Sequence, residues 1–213
     1  MRVTKYEHAA LVVDEAGRRL IIDPGSFTRS LADTTDVDAV VVTHAHADHW
    51  TPEQLKGILQ TNPDAVVLGP SGVVAALSEE SIEATTVADG DTVEVGPFTL
   101  RFAGTTHAVI HSSIPVIDNT GVLVNGSLFY PGDAFTVPTF PVEVLAAPVG
   151  APWLKIGEAI DYVAEVKPAR SFPVHEKTLS EPGFAMHADR IKAATESVSG
   201  TSVVLQPGES LDV

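Results

Sequence analysis
Residues Asp38-Ala39-Val40-Val41-Val42-Thr43-His44-Ala45-His46-Ala47-Asp48-His49 decide how this chain is read. The first six form a β-branched, apolar run of the kind buried on both faces of a sheet. Three histidines and an aspartate then follow within six residues, where α/β sheets place their sites, beyond a strand's carboxyl end. In extended chain, residues two apart point the same way, so His44 and His46 can present imidazoles to one metal ion. Asp48 and His49 lie where the chain turns away, and their side chains reach a second ion more readily than the first.

Outward from this motif, the chain reads as alternating strands and helices. Upstream, apolar runs at Ala9–Val13 and Leu20–Ile22 flank Asp14-Glu15-Ala16-Gly17, a hairpin that ends at Asp23-Pro24-Gly25. Downstream, Thr51-Pro52-Glu53 is an N-cap with proline at the first helical position and predicts a helix to about Leu59. A strand over Ala65–Leu68 and a helix from Ser71 follow, then short alternating strands between Thr85 and Phe102. Asn125-Gly126 between Val122–Val124 and Ser127–Tyr130 is the strongest hairpin signal in the chain. The last third reads as strand Val142–Ala146, helix Lys155–Val166, strand Ala169–Val174, helix Ala188–Val198 and strand Ser202–Leu205. Mixed sheets interleaved with helices predict an α/β layered sandwich, with residues 1–213 as one domain. The hairpins count against a doubly wound parallel sheet, and no Gly-rich phosphate loop follows a strand.

Composition narrows the function. Of 213 residues, 28 are Asp or Glu and 13 are Lys or Arg, giving a formal net charge of −15. Such a chain repels nucleic-acid polymers at long range. It holds no cysteine, so disulfides, thiolate ligands and cysteine nucleophiles are excluded and any metal must sit on histidines and carboxylates. The N-terminal residues lack a signal peptide's apolar core and no run is long enough to span a membrane, so a cytoplasmic protein is expected.

Further ligands must come from elsewhere, and three segments offer them at strand ends. They are His107 after Phe98–Ala103, Asp133 in Tyr130-Pro131-Gly132-Asp133, and His175 closing Ser171–Val174. His111 lies in the same loop as His107 and competes with it. His107 is nearer the strand and is preferred. His187 reads as a capping or surface residue at a helix start, and Trp50 as packing under the motif loop. Trp153 and Phe140 read as cleft-mouth or core side chains, and Arg170, Lys177 and Lys155 as surface charges unless a phosphorylated substrate claims one.

The order His44-x-His46-x-Asp48-His49, His107, Gly132-Asp133 and His175, with Asp23 in Ile21-Ile22-Asp23-Pro24-Gly25, resembles the metallo-β-lactamase-fold hydrolases. The resemblance covers nearly the whole chain. It implies an α/β (in some schemes α+β) four-layer αββα sandwich with a metal site in the cleft. By the same resemblance, His44, His46 and His107 would hold one ion and Asp48, His49 and His175 a second. Asp133 would bridge them, and Asp23 would support the ligands from behind. The absence of cysteine sets aside the thiolate-liganded β-lactamases. The early His8-Ala9, the His111-Ser112-Ser113 triplet and the end soon after Pro207-Gly208-Glu209 are most similar to the compact branch around ascorbate-6-phosphate lactonase. There His8 and His111 would be substrate or supporting groups, and homo-oligomers are common.

The implied chemistry is hydrolysis by a hydroxide bridging two divalent ions, zinc by donor type, with Mn or Fe also compatible. Asp48 is the expected proton acceptor, and the expected substrate is a small-molecule ester, lactone or phosphoester. The alternatives are a phosphodiesterase acting on nucleotides or nucleic acid, and a metal-binding domain without turnover.

Overall fold
A computed structural model describes residues 1–213. The strands are β1 (Arg2–Lys5), β2 (Leu11–Glu15), β3 (Arg18–Ile22), β4 (Val37–Val41), β5 (Val66–Gly69), β6 (Thr85–Thr86), β7 (Thr92–Val95), β8 (Phe98–Ala103), β9 (Gly121–Val124), β10 (Leu128–Tyr130), β11 (Val144–Pro148), β12 (Arg170–Val174), β13 (Thr201–Ser202) and β14 (Ser210–Asp212). The helices are α1 (Pro52–Thr61), α2 (Ser71–Glu79), α3 (Ile156–Val166) and α4 (Glu181–Ser197). One seven-stranded sheet runs β14-β1-β2-β3-β4-β5-β6, the other β13-β12-β11-β10-β9-β8-β7.

Three apolar layers hold the sheets and helices together. Val13, Leu20 and Val41 of the first sheet meet Phe102, Val122 and Phe172 of the second in the central layer. The outer face of the first sheet packs Val12, Ile21 and Val40 against Leu55 and Ile58 of α1 and Val73 and Leu77 of α2. The outer face of the second packs Leu123, Phe129 and Leu145 against Tyr162 and Val163 of α3 and Ile191 of α4. The order of layers is therefore helix, sheet, sheet, helix, as the resemblance implies. No helix is long and apolar enough to cross a membrane.

Local signals explain most of the elements. The Thr51 side chain accepts from the Gln54 N–H at the start of α1, with Pro52 in the first turn. Asn125 and Gly126 both have positive φ, 49° and 69°, the geometry a two-residue β9–β10 hairpin requires. Three expectations need correction. Helix α4 starts at Glu181 rather than Ala188, because Ser180 caps it by accepting from the Gly183 N–H. His187 therefore lies within the helix. The strand predicted from Ala9 is β2 and begins at Leu11, leaving His8-Ala9-Ala10 in a turn, and the last predicted strand shrinks to Thr201–Ser202. Strands β1 and β14 were not predicted, and they pair antiparallel with Val3 opposite Leu211.

Candidate metal centre
Every segment predicted to carry a ligand emerges at the carboxyl end of a strand. Asp23 follows β3, the His44–His49 motif follows β4, and the two strands are parallel neighbours. His107 follows β8, Asp133 follows β10 and His175 follows β12. Close packing keeps these loops together. A Cβ on Gly25 would lie 1.8 Å from the Asp48 carbonyl oxygen, so only glycine lets the Asp23 loop pass beneath the motif. Gly132, at φ 66°, is pressed against Asn119 and Thr43, where a Cβ would come within 2.4 Å of Asn119 Oδ1. That same oxygen accepts the Asp133 N–H at 3.0 Å, so Asn119 clamps the Asp133 loop.

The groups converge in three overlapping sets: His44, His46 and His107; His44, His49 and Asp133; and Asp48, His49 and His175 with His8. Within each set the candidate ligand atoms lie within 4.8 Å of one another. His49 Nε2 lies 3.1 Å from His175 Nε2, and Asp133 Oδ1 lies 3.3 Å from the first and 3.2 Å from the second. Two nitrogens each about 2.0–2.1 Å from one tetrahedral ion stand roughly 3.3–3.4 Å apart, so this spacing fits one cation among the three atoms. Asp133 Oδ2, 3.5 Å from His107 Nε2, faces the other set.

The ring tautomers are set by what each Nδ1 touches. His49 Nδ1 donates to Asp23 Oδ2 at 2.6 Å, His107 Nδ1 to the Ala108 carbonyl at 2.5 Å, and His175 Nδ1 to the Gly150 carbonyl. Thr43 Oγ1 donates its proton to Asp23 Oδ2 at 2.7 Å, so it accepts from His44 Nδ1 at 3.1 Å. All four rings thus keep Nε2 for a cation. The Nε2 atoms of His44 and His107 and Asp133 Oδ1 are buried with no hydrogen-bond partner. Unpaired buried acceptors of this kind are expensive, and a metal ion satisfies them together.

Charges in the cluster respond to one another. Burial holds the His44 imidazole well below its ordinary value, so it is neutral. Burial works the same way on His49, but Asp133 and Asp23 overcome it and raise His49 well above 6.5. His175 is pushed up to about 9, Asp133 and Asp48 again outweighing burial. Burial pushes the Asp133 carboxyl up, and His49 and His175 hold it well below the usual range instead. Protons on nitrogens that face anionic carboxylates are what a metal ion displaces on loading.

Three further residues find their places. Trp153, for which both cleft and core were open, is buried and donates Nε1–H to Asp133 Oδ2 at 2.7 Å, fixing that carboxylate. His111 is exposed, bonded to Ser113 and outside the cluster. His187 Nδ1 bonds the Val149 carbonyl at 2.6 Å, in the loop whose Gly150 carbonyl orients His175. Asn119 escaped the sequence reading, since nothing local marks a residue that acts through a loop 14 positions away. His107→Ala is expected to lose bound metal per chain, and His111→Ala to keep it. Metal analysis of the two purified variants decides, and the reverse result would exchange their roles.

A family model described as a beta-lactamase superfamily domain matches residues 2–175. Protein Rv0786c of Mycobacterium tuberculosis is 36% identical over 200 residues, spanning 92% of this chain and 93% of that protein. A UPF0173 metal-dependent hydrolase of Carboxydothermus hydrogenoformans is 25% identical across 98% of both chains. Igni18, described as a novel metallo hydrolase from the hyperthermophilic archaeon Ignicoccus hospitalis, shares the fold with a TM-score of 0.75. Its identity is 21%, over 99% of this chain and 97% of its own.

Proposed function
The chain belongs to the beta-lactamase superfamily, and on that premise we propose that it is a metal-dependent hydrolase of small carboxylic esters or lactones. The observation that carries this reading is the convergence of Nε2 atoms and carboxylate oxygens whose tautomers and orientations are fixed from behind. His44, His46 and His107 would hold one divalent cation, and Asp48, His49 and His175 a second, with Asp133 between them. An all-nitrogen-and-oxygen donor set suits zinc, and also manganese or iron. Such cations supply a water ionised near neutral pH and a Lewis acid for a carbonyl oxygen.

The chain's own residues do the positioning. Asp48 stands at the rim of the cluster, its side chain 25% exposed, and can take the proton of an attacking water. Burial works to raise its carboxyl, but hydrogen bonds from His175 and His8 and the neighbouring His49 hold it well below the usual range. Trp153 keeps Asp133 from rotating, and Asp23 keeps His49 aimed.

The preference for a carbonyl over a phosphoester rests on where the cations are. Phosphate recognition commonly uses arginine in bidentate pairs. Here Arg29 is spent on Glu7, Lys5 on Glu176, and Arg170 on Glu143 and the Asp212 carbonyl. Exposed Lys155 and Lys177 are free of ion pairs but offer point charges rather than a bidentate fork. Arg170 sits at the start of β12, the end away from His175. An apolar side chain flanks the centre instead: Phe27, itself exposed, packs edge-on against His8 with ring centroids 5.0 Å apart. A panel of aryl esters, γ- and δ-lactones and bis(4-nitrophenyl) phosphate tests this with zinc-loaded protein. Ester or lactone turnover that a chelator abolishes is expected. Faster turnover of the phosphodiester, or ester turnover indifferent to chelator, would overturn the reading.

A further inference from the structure
His8 shares a set with Asp48, His49 and His175 and at first sight is one more ligand. Its hydrogen bonds say otherwise. The Lys177 backbone N–H points at His8 Nδ1 at 3.2 Å. A backbone N–H is always a donor, so Nδ1 must be the acceptor and carries no proton. The one ring proton is then on Nε2, which lies 3.1 Å from Asp48 Oδ2. This is the reverse of the arrangement at His44, His49, His107 and His175, where Nδ1 donates and Nε2 is left open.

The backbone of His8 is gripped as firmly as its ring. Its N–H donates to Glu176 Oε1 at 3.1 Å and its carbonyl accepts from the His175 N–H at 2.8 Å. Glu176 Oε1 is itself held by buried Lys5, whose Nζ lies 2.9 Å away. All four polar atoms of His8 are therefore committed, three to residues 175–177 and the fourth to Asp48. The residue is fully buried and sits at φ 61°, a left-handed conformation that histidine adopts at a cost. Strain maintained by so many contacts marks a position chosen for what it holds.

From this we infer that His8 is a positioning residue, an Nε2–H donor that fixes Asp48 Oδ2 beside the metal centre, and not a metal ligand. The inference rests on the metal-site reading above through Asp48. With Oδ2 fixed 3.5 Å from His175 Nε2, the carboxylate cannot swing out to solvent, and Oδ1 is left to meet the incoming water. The N-terminal turn and the His175 loop are thereby tied to the motif loop through one imidazole.

Long-range proton–nitrogen NMR of histidine-labelled protein reads the tautomer directly, with the His8 signals assigned by their loss in His8→Gln. The expected result is the Nε2–H form of His8 in both metal-free and zinc-loaded protein. An Nδ1–H form with zinc on Nε2 would overturn the inference. Zinc titration by calorimetry gives a second readout. His8→Phe is expected to bind as many ions as the unaltered protein, with one step weakened about 10–100-fold. His8→Gln, which returns an N–H near the Nε2 position, is expected to recover most of that loss. Loss of a whole ion from His8→Phe, or no loss of affinity at all, counts against the inference. A protein with this tautomer pattern that hydrolyses no ester would sink the ester reading and leave the role of His8 standing.

Discussion
Asp23→Ala is expected to destabilise the protein by about 3–5 kcal/mol, the usual effect of stripping a buried charge from its partners. Asp23 is fully buried. Oδ1 accepts the Thr43 N–H at 2.8 Å, and Oδ2 accepts both the Thr43 hydroxyl and His49 Nδ1. Alanine leaves those three donors without an acceptor. It also places a residue poorly suited to the left-handed region at φ 49°, adding roughly 1 kcal/mol. Asn tolerates that backbone and separates stability from metal binding. In Asp23→Asn the amide oxygen can still serve Thr43, but the amide N–H₂ faces His49 Nδ1. The imidazole then takes its proton on Nε2, where a cation belongs. Asp23→Asn should therefore fold with a smaller loss of about 1–3 kcal/mol and bind zinc at least 10–100-fold more weakly. Urea unfolding at unchanged m-value and zinc titration measure the two effects. Asp23→Asn binding both ions with undiminished affinity would refute the role given to Asp23.

How much of this was legible beforehand follows from the range of each interaction. The buried strand before His44, the Thr51-Pro52 cap and the Asn125-Gly126 hairpin are local, and all three are where the sequence puts them. The cap of α4 was equally local, with Ser180 and Pro182 repeating the signal at Thr51-Pro52, but Gly183 masks it in a propensity reading. The pairing of β1 with β14 joins residues about 210 positions apart and leaves no periodic trace in either segment. The histidine motif announced itself by spacing. The groups that orient it did not: Trp153, Asn119 and the Lys177 N–H act through contacts formed only when separate loops meet. His8 was visible as a residue near the first strand, yet its part depends on a backbone N–H, which every residue but proline carries and no sequence pattern marks.

Loading with zinc is expected to raise the melting temperature by an amount that grows between pH 6.5 and 9. An ion at a thousand times its Kd stabilises the folded chain by about 4 kcal/mol per site, or roughly 8–16 °C at about 2–4 °C per kcal/mol for a chain of this size. The pH dependence comes from the histidines of the metal-free protein. His175 binds its proton up to about pH 9, and His49 is raised as well. Their favourable contribution is full below the unfolded value of about 6.5 and is lost as pH rises toward 9. His8, His44 and His46 are lowered, each mainly by burial, so their contribution is lost only as pH falls below about 6.5. Asp48 and Asp133 are ionised throughout this window and add no slope. The contribution of His49 and His175 to the metal-free protein therefore weakens from pH 6.5 to 9. Over the same range protons cease to compete for the Nε2 atoms of His49 and His175, so zinc binds more tightly. Lys5, also lowered by burial, titrates alike with and without metal and drops out of the difference. Thermal melts at pH 6.5, 7.5 and 9, with and without zinc, measure that difference. A gap that stays constant or narrows across the series would mean that zinc does not displace the protons shared by His49, His175 and Asp133.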